Sequence, residues 1–372
     1  MNYKPLFLLP IFTLAGIALF WPCSAPAGGM PPTSGYTVLA PIRHGNLTIF
    51  PVVATRSYDT EEFLTLDEGL RSGEVIVTES GSVQPSMRRR RLPIPPGPQV
   101  NQLVLVNNSK RPLILLAGEI VTGGKQDRVI GKDRIIPAES DPLDLGVFCV
   151  EPGRWTGSSD RFGMVGTSAG AVPAPMAAPN VRAKAMADKD QQQVWSEVAK
   201  TRTAMSETVT VESAAREING TSSYARVMNN DEVKQKVDSV AGPIQRNYQS
   251  LIQQLRDQHA VGVAVAVNGE MVWADIFAST NLLEKYWPKL VRSYAAEAVV
   301  TRTVVTRTKD READIKQAQD FLDHLDGRHE TVDSEPGLYR HTEIAGDGFR
   351  AFELTSLLPK TGFDLHVAKM AE

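Results

Sequence analysis

The first half of the chain is a series of short apolar runs that are separated by turn residues. The runs are rich in Val, Ile and Leu and are bounded by Gly, Pro, Asn or Ser. Runs of about four to eight such residues are typical of β-strands. A capping box from Thr65 to Glu68 predicts one short helix, which ends near Gly73. The pattern predicts strands at residues 36–41, 47–54, 74–79, 102–107, 113–117, 120–130 (a hairpin) and 143–150.

The second half has longer segments with helical periodicity, and hairpins follow them. Residues 190–204 place Val194, Trp195 and Val198 on one side, which predicts an amphipathic helix. Asn268-Gly269 accepts the positive φ angles of a tight turn and therefore predicts a hairpin. Further helices are predicted at 230–240, 244–255, 281–300 and 310–325, and strands at 261–267, 271–277, 338–344, 349–354 and 363–368.

The order of these elements predicts the fold class. Antiparallel hairpins dominate the first half, and helices with further hairpins dominate the second, which favours an α+β fold over a doubly wound parallel sheet. Residues 156–182 are rich in Gly, Ala, Ser and Pro, which is typical of a flexible insertion. We therefore predict a single α+β domain over residues 36–372, with this insertion and a tether at residues 28–35.

The N-terminus has the pattern of a secretory signal. Lys4 precedes an apolar stretch at residues 6–21, which is too short for a typical membrane-spanning helix. Ala25-Pro26-Ala27 supplies small residues, and we predict cleavage after Ala27 and export to the periplasm or the medium. The alternative is that this segment is not cleaved and anchors the protein in the membrane. If it is cleaved, the protein contacts the membrane only through this segment and only before cleavage.

Charge and cysteine content narrow the function classes. Loss of Lys4 with the signal leaves 39 of the 40 Lys and Arg residues against 43 Asp and Glu, a net charge of about −4. Such a charge argues against nucleic acid as a partner. Cys149 becomes the only cysteine, so no intramolecular disulfide forms and stability depends on a hydrophobic core. We predict no cofactor and no metal site, and the oligomeric state is left open.

Candidate chemistry is concentrated in two segments. The first runs from Gly118 to Arg128, and the second runs from Cys149 to Trp155. If Gly123-Gly124 were a two-residue turn, Glu119 would face Arg128 across the hairpin, where the two could form an ion pair. Gly124-Lys125 does not complete a P-loop. That motif has four residues between its first glycine and Gly-Lys, whereas five separate Gly118 from Gly124, and Gln126 stands where a Ser or Thr hydroxyl is required.

Two hypotheses follow from these segments. In the first, Lys125, Arg128 and Arg154 neutralise an anionic small molecule, Glu119 or Glu151 acts as a base, and Cys149 is an optional nucleophile. In the second, the same residues form a structural polar network in a non-enzymatic extracytoplasmic module. Whether the protein is an enzyme stays open. The site candidates are Glu119, Gly123, Gly124, Lys125, Gln126, Arg128, Cys149, Glu151, Arg154 and Trp155.

Both segments resemble the signature of a known family. The residues that carry the resemblance are Gly118-Glu119, Gly123-Gly124-Lys125-Gln126-Asp127-Arg128, Cys149-Val150-Glu151 and Gly153-Arg154-Trp155. They are similar to the signature of the ARG and Rhodanese-Phosphatase-superfamily-associated Protein domain (ARPP-1), a domain of unknown function. The resemblance covers most of residues 36–370. It implies a role near nucleotide or ADP-ribose chemistry and no named reaction.

Overall fold

A computed structural model describes residues 35–80, 101–154, 156–157, 159, 161–163, 173–255, 257–304, 312–335 and 337–372. These residues form eighteen strands and eight α-helices, which confirms the α+β class. The strands are β1 (Tyr36–Val38), β2 (Ile42–His44), β3 (Leu47–Ala54), β4 (Leu64–Thr65), β5 (Val75–Glu79), β6 (Gln102–Asn107), β7 (Leu113–Leu115), β8 (Ile120–Gly123), β9 (Arg128–Ile130), β10 (Arg134–Ile136), β11 (Leu143–Cys149), β12 (Phe162–Gly163), β13 (His259–Val267), β14 (Glu270–Phe277), β15 (Gly327–Glu335), β16 (Tyr339–Gly346), β17 (Phe349–Ser356) and β18 (Asp364–Ala371). The helices are α1 (Leu66–Ser72), α2 (Pro179–Ala183), α3 (Gln191–Thr208), α4 (Glu212–Asn219), α5 (Tyr224–Asn229), α6 (Asp231–Ile252), α7 (Thr280–Val304) and α8 (Ile315–Asp323).

A nine-stranded antiparallel sheet joins the two halves of the chain. Its order is β1-β3-β13-β14-β18-β17-β16-β15, and β2 pairs with β3. Along β13, Val263 and Val265 belong to the large core beneath α3, α6 and α7, whereas Ala264 and Ala266 face α8. Both faces are covered, which explains why β13 is an almost continuous apolar run rather than an alternating one.

A small closed barrel stands beside this sheet. The barrel order is β11-β6-β5-β12-β8-β9, and a three-stranded sheet, β10-β7-β4, lies next to it. Val77, Leu105, Val121, Ile130 and Val147 are buried together in the barrel core. Because β5, β8, β9 and β11 all belong to the barrel, the segments singled out in the sequence are brought to one part of the fold.

The structure confirms two predictions that depend only on residues close together in the chain, the capping box of α1 and the turn at Asn268-Gly269. Thr65 and Glu68 form the reciprocal capping box of α1, and Gly73 ends the helix at φ 75°. Asn268 and Gly269 have φ angles of 52° and 79°, which are the positive values of a type I′ turn. The turn between the strands predicted at 36–41 and 47–54 was expected at residues 43–46. It is shorter, since Arg43 and His44 belong to β2 and only residues 45–46 connect β2 to β3.

The predicted break at Gly242-Pro243 is wrong. Helix α6 continues through Pro243, and Val237, Ala241, Ile244 and Tyr248 are buried on one side of it. Proline in a helix costs about 3 kcal/mol or more through the lost N–H and a clash. Burial of four apolar side chains offsets that cost at about 1.5–3 kcal/mol for each large one.

The edge strand β15 was not predicted. Its sequence from Gly327 to Glu335 is polar and has no apolar alternation, so the pattern resembled a loop after α8. It forms by pairing along its length with β16 at the edge of the large sheet. Pairing supplied by a neighbouring strand overrides weak local propensity.

The last residues of the predicted flexible insertion, 174–182, are packed into the core, so the predicted end of the insertion at residue 182 is wrong. Ala174, Met176 and Val181 are buried in the large core, and Arg182 is fully buried. Small residues allow this segment to pack closely, and the composition that resembled a linker is therefore that of a buried connection. The signal segment, the tether through residue 34, residues 164–172 and Trp155 lie outside the described residues.

One buried cluster combines residues from β3 to β18, so the described halves share a core. In the part of the chain that the structure describes, no helix is both long and apolar enough to cross a membrane.

Candidate functional site

The two candidate segments are in direct contact. We define the signature turn as residues 122–127 and the signature loop as residues 149–154. Asp127 N–H donates to Glu151 Oε2 at 3.0 Å, and Gln126 Nε2 donates to the Glu151 carbonyl at 3.0 Å. Arg128 and Cys149 are register partners in the β9–β11 pair. The proximity that both hypotheses require is therefore present.

The signature turn is longer than the predicted two-residue turn. Val121 pairs with Arg128 and Ile120 pairs with Val129, so Glu119 does not face Arg128 and the predicted ion pair is wrong. The Asp127 side chain causes this geometry, because its Oδ1 accepts the Gly123 N–H at 3.1 Å. An Asp side chain that bonds nearby backbone replaces the ladder bonds of a tight turn.

Three backbone N–H donors of the signature turn bind acceptors that the chain itself supplies. Gly124 N–H donates to Ser159 Oγ at 3.2 Å, and Lys125 N–H donates to Glu79 Oε1 at 2.8 Å. With the Gly123–Asp127 bond, three successive N–H groups each have an acceptor. Two of these acceptors are carboxylates, which stand where an anionic ligand would have to bind.

Arg154 ties the signature loop to the signature turn. Its Nε and Nη2 donate to the two carboxylate oxygens of Glu151 at 2.7 and 2.6 Å, and Nη1 donates to the Gly124 carbonyl at 3.0 Å. Glu151 is 3% exposed, whereas the Arg154 side chain is 21% exposed. The Glu151 hydrogen bonds raise the pKa of Arg154. Burial and then the Glu151 charge raise the pKa of Asp127, which also accepts from Ser223 Oγ at 2.6 Å.

Arg128 and Cys149 lie at the end of the barrel core. Val121 belongs to that core and faces Arg128 across the ladder, so the Arg128 side chain points to the same side. Arg128 is fully buried, and its Nη1 donates to the Gln126 carbonyl at 2.6 Å. Burial lowers the pKa of Arg128, against the effect of the Cys149 and Glu79 charges.

Cys149 has the surroundings of a packed residue. It is fully buried, and burial raises the pKa of its thiol, which opposes the thiolate that a nucleophile needs. Gln191 of α3 holds its backbone N–H and carbonyl at 2.8 and 2.9 Å. His366 does not supply a base for this thiol, because its two ring nitrogens lie within hydrogen-bonding distance of Asp133 and Asp275.

Glu119 takes part in a different cluster. It is 1% exposed, and its Oε1 and Oε2 accept from Lys289 at 3.2 Å and from the Leu116 N–H at 2.9 Å. Lys289 also donates to Asp67 at 2.8 Å. Burial raises the pKa of Glu119 to about 6, although the Lys289 ammonium acts in the opposite direction. The structure therefore joins Glu119 to α1 and α7 and not to the signature turn.

A family model decides the relationship that the two segments suggest. The ARG and Rhodanese-Phosphatase-superfamily-associated Protein domain matches residues 35–368. The chain belongs to the ARPP-1 family. Neither the curated proteins nor the solved structures include a significant match.

This ARPP-1 domain contains a second polar cluster, which we call the buried quartet: Asp133, Arg182, Asp275 and His366. All four side chains are fully buried. Arg182 donates to both oxygens of Asp275 at 2.9 Å. His366 Nδ1 lies 2.5 Å from Asp133 Oδ2, and its Nε2 lies 3.1 Å from Asp275 Oδ1. The Tyr294 hydroxyl also donates to Asp275.

Charges balance within the buried quartet. Burial alone would lower the pKa of His366, but Asp133 and then Asp275 raise it to about 9. Burial alone would raise the pKa of Asp275, but Arg182 and His366 hold it well below its ordinary value. At neutral pH the quartet therefore carries two positive and two negative charges, which is the pairing that buried charges require.

Sequence analysis of the ARPP-1 domain missed this quartet, although a signal was present. Asp275 lies between Ala274 and Ile276, and His366 lies between Leu365 and Val367. Charged residues inside such apolar runs are rarely buried unless they are paired. Among the residues that the structure describes, no group of three His, Cys, Asp or Glu side chains is suited to a metal ion.

Proposed function

We propose that the signature turn and the signature loop form a structural clamp in a non-enzymatic extracytoplasmic binding module. In this proposal Asp127, Glu151 and Arg154 connect the barrel to the helices that cover the large sheet, which we call the helical layer. Neither Glu151 nor Cys149 takes part in a chemical reaction. One observation carries the proposal: the turn N–H groups and the Arg154 guanidinium already bind carboxylates of the chain itself.

Contacts to the helical layer support the clamp. Asp127 Oδ2 accepts from Ser223 Oγ at 2.6 Å, and Ser223 also caps α5. The Val150 carbonyl accepts the Tyr224 N–H at 3.0 Å. The signature turn and the signature loop thus contact both the barrel strands and α5, which lies at least about 70 residues further along the chain.

The clamp is tested by replacing Arg154. Arg154→Ala leaves the buried Glu151 and Asp127 without their shared cation, and we expect the free energy of unfolding to fall by about 2 kcal/mol. Chemical denaturation of the exported chain measures this loss. Arg216→Ala is the control, because Arg216 lies 4.0 Å from Glu212 in an exposed pair and should cost less than about 0.5 kcal/mol.

The anionic-ligand hypothesis predicts a different outcome for the same variant. Phosphate, citrate and ADP-ribose are added to the wild-type chain and to Arg154→Ala in thermal unfolding. The clamp predicts that any rise in melting temperature, including the general stabilisation by phosphate and citrate, is the same for both chains. A rise in the wild type that disappears in an otherwise stable Arg154→Ala would instead support ligand binding at the signature turn and overturn the clamp.

We further propose that the module is exported, since the first 27 residues have the order of a signal peptide. Lys4, the apolar stretch and the small residues before Gly28 support this assignment. We expect the secreted or periplasmic fraction to contain a chain that begins at Gly28. N-terminal sequencing of that fraction measures the start, and an intact Met1 in the membrane fraction would contradict cleavage.

A further inference from the structure

A large cleft lies away from the clamp, between the helical layer and the β13–β14 hairpin. Its volume is about 980 Å³, which is within the range of small-molecule sites. One wall is α3, a second is the C-terminal part of α7, and the hairpin and Asn180 of α2 complete it. Residues of α2, α3, the β13–β14 hairpin and α7 therefore shape this cavity together.

Apolar and acidic side chains line the cleft together. Val267, Val272 and Val300 supply apolar surface. The described charged lining residues are Glu197, Glu207, Glu270, Glu297 and Lys200. Lys200 is already paired with Glu197 at 3.1 Å, so the described lining has an excess of negative charge. A ligand that matches this surface carries a positive charge and an aliphatic body.

Glu297 is the buried carboxylate that is available to such a ligand. It is 8% exposed and lines the cleft. Its Oε2 accepts the Asn180 N–H at 3.0 Å, while Oε1 has no hydrogen-bond partner among the residues that the structure describes. Glu197 differs, because Asn180 Nδ2 and Lys200 Nζ occupy its two oxygens at 2.9 and 3.1 Å.

We propose that this cleft binds a small aliphatic amine, whose ammonium group donates to Glu297 Oε1 and whose carbon chain packs on Val272 and Val300. The assignment goes beyond the clamp and uses none of its residues. A buried carboxylate without a cation is costly, and a bound ammonium supplies the missing charge-assisted hydrogen bond.

The protonation state of Glu297 agrees with this assignment. Burial raises its pKa to about 7, the Asn180 N–H opposes the rise, and the Glu197 charge adds to it. The charged groups that share the cleft with Glu297 are Glu197, Glu207 and Lys200 on α3 and Glu270 on β14. Because the ionised carboxylate holds an ammonium more strongly, amine affinity should increase between about pH 6 and about pH 8.

Calorimetric titration of the full chain with n-hexylamine tests the proposal. We expect saturable binding at about pH 8, and dissociation constants at least about tenfold weaker for Glu297→Gln than for the wild type. Hexanoate and 1-hexanol have the same chain length without the positive charge and should bind at least about tenfold more weakly than hexylamine. Glu297→Gln should fold, because glutamine retains an acceptor for the Asn180 N–H.

Glu284→Gln is the matched control, since Glu284 lies on the same helix at an exposed position outside the cleft. It should bind hexylamine as the wild type does. Absence of hexylamine binding, equal binding by Glu297→Gln, or equal binding of hexanoate would each overturn the proposal. Comparison of melting temperatures confirms that each variant is folded before titration.

Discussion

Asp275→Asn is expected to lower the free energy of unfolding by about 3–5 kcal/mol. Asparagine retains the shape of the side chain but removes the charge that Arg182 and His366 share. Arg182 is fully buried and lies over the Trp273 ring at 4.4 Å, so water cannot replace the lost carboxylate. Chemical denaturation of the full chain measures the loss.

A double-mutant cycle separates this pairing energy from other effects of the substitution. Arg182→Met removes the buried cation, and Arg182→Met with Asp275→Asn should cost at least about 2 kcal/mol less than the sum of the two single changes. Arg350→Ala is the surface control, because Arg350 and Glu372 form an exposed pair that is worth about 1 kcal/mol or less. A loss below about 1 kcal/mol for Asp275→Asn would contradict the role assigned to the quartet.

The pH dependence of unfolding supplies a second measure of the same cluster. His366 has a pKa of about 9 in the folded chain against an ordinary value of 6.5. Its contribution is therefore complete below pH 6.5 and is lost as the pH rises through about 9, which corresponds to about 2 kcal/mol between pH 6.5 and pH 8.5. Asp275→Asn should reduce this slope, because one of the two carboxylates that raise the His366 pKa is neutralised.

Gly118→Ala is expected to lower the free energy of unfolding by about 4 kcal/mol, for two separate reasons. Gly118 has a φ angle of 94°, which side chains rarely adopt. A Cβ atom there would also lie 2.6 Å from Arg182 Cγ and 2.7 Å from Arg182 Nε, which cannot move without disturbing the quartet. The Gly118 backbone is held on both sides by Ile130 and Ala177 and cannot shift.

Gly153→Ala distinguishes the two reasons. Gly153 has a similar φ angle of 90°, but a Cβ atom there would have no neighbour within 4 Å. It should cost only the backbone strain, about 1–2 kcal/mol, and the difference from Gly118→Ala measures the close approach to Arg182. Equal losses in the two variants, measured by chemical denaturation, would show that the contact with Arg182 is unimportant.

Sequence patterns predicted the parts of the fold that depend on residues close together in the chain. The capping box of Thr65 and Glu68 and the Asn268-Gly269 turn are local, and both were found where expected. The signature segments were also expected to meet, and the pairing of β9 with β11 brings them together. Their charges suggested a ligand because the sequence could not show which acceptors the chain itself provides.

Partners from distant parts of the chain could not be predicted. Glu119 was assigned to Arg128 nearby, but it pairs with Lys289, 170 residues away. Arg182 was placed in a flexible insertion, but it forms a buried pair with Asp275, 93 residues away. In both cases the energetic requirement that a buried charge finds a partner is general, whereas the identity of that partner depends on the whole topology.

The polar strand β15 has a consequence for how this protein behaves at high concentration. It forms one margin of the nine-stranded sheet, where unpaired N–H and C=O groups could recruit a strand from another molecule. Arg328 and Glu330 project from it, with side chains that are 81% and 63% exposed. Such charges discourage the addition of a strand from another molecule. The polar sequence of β15, which made the strand hard to predict, therefore also protects the chain against fibril growth from this edge.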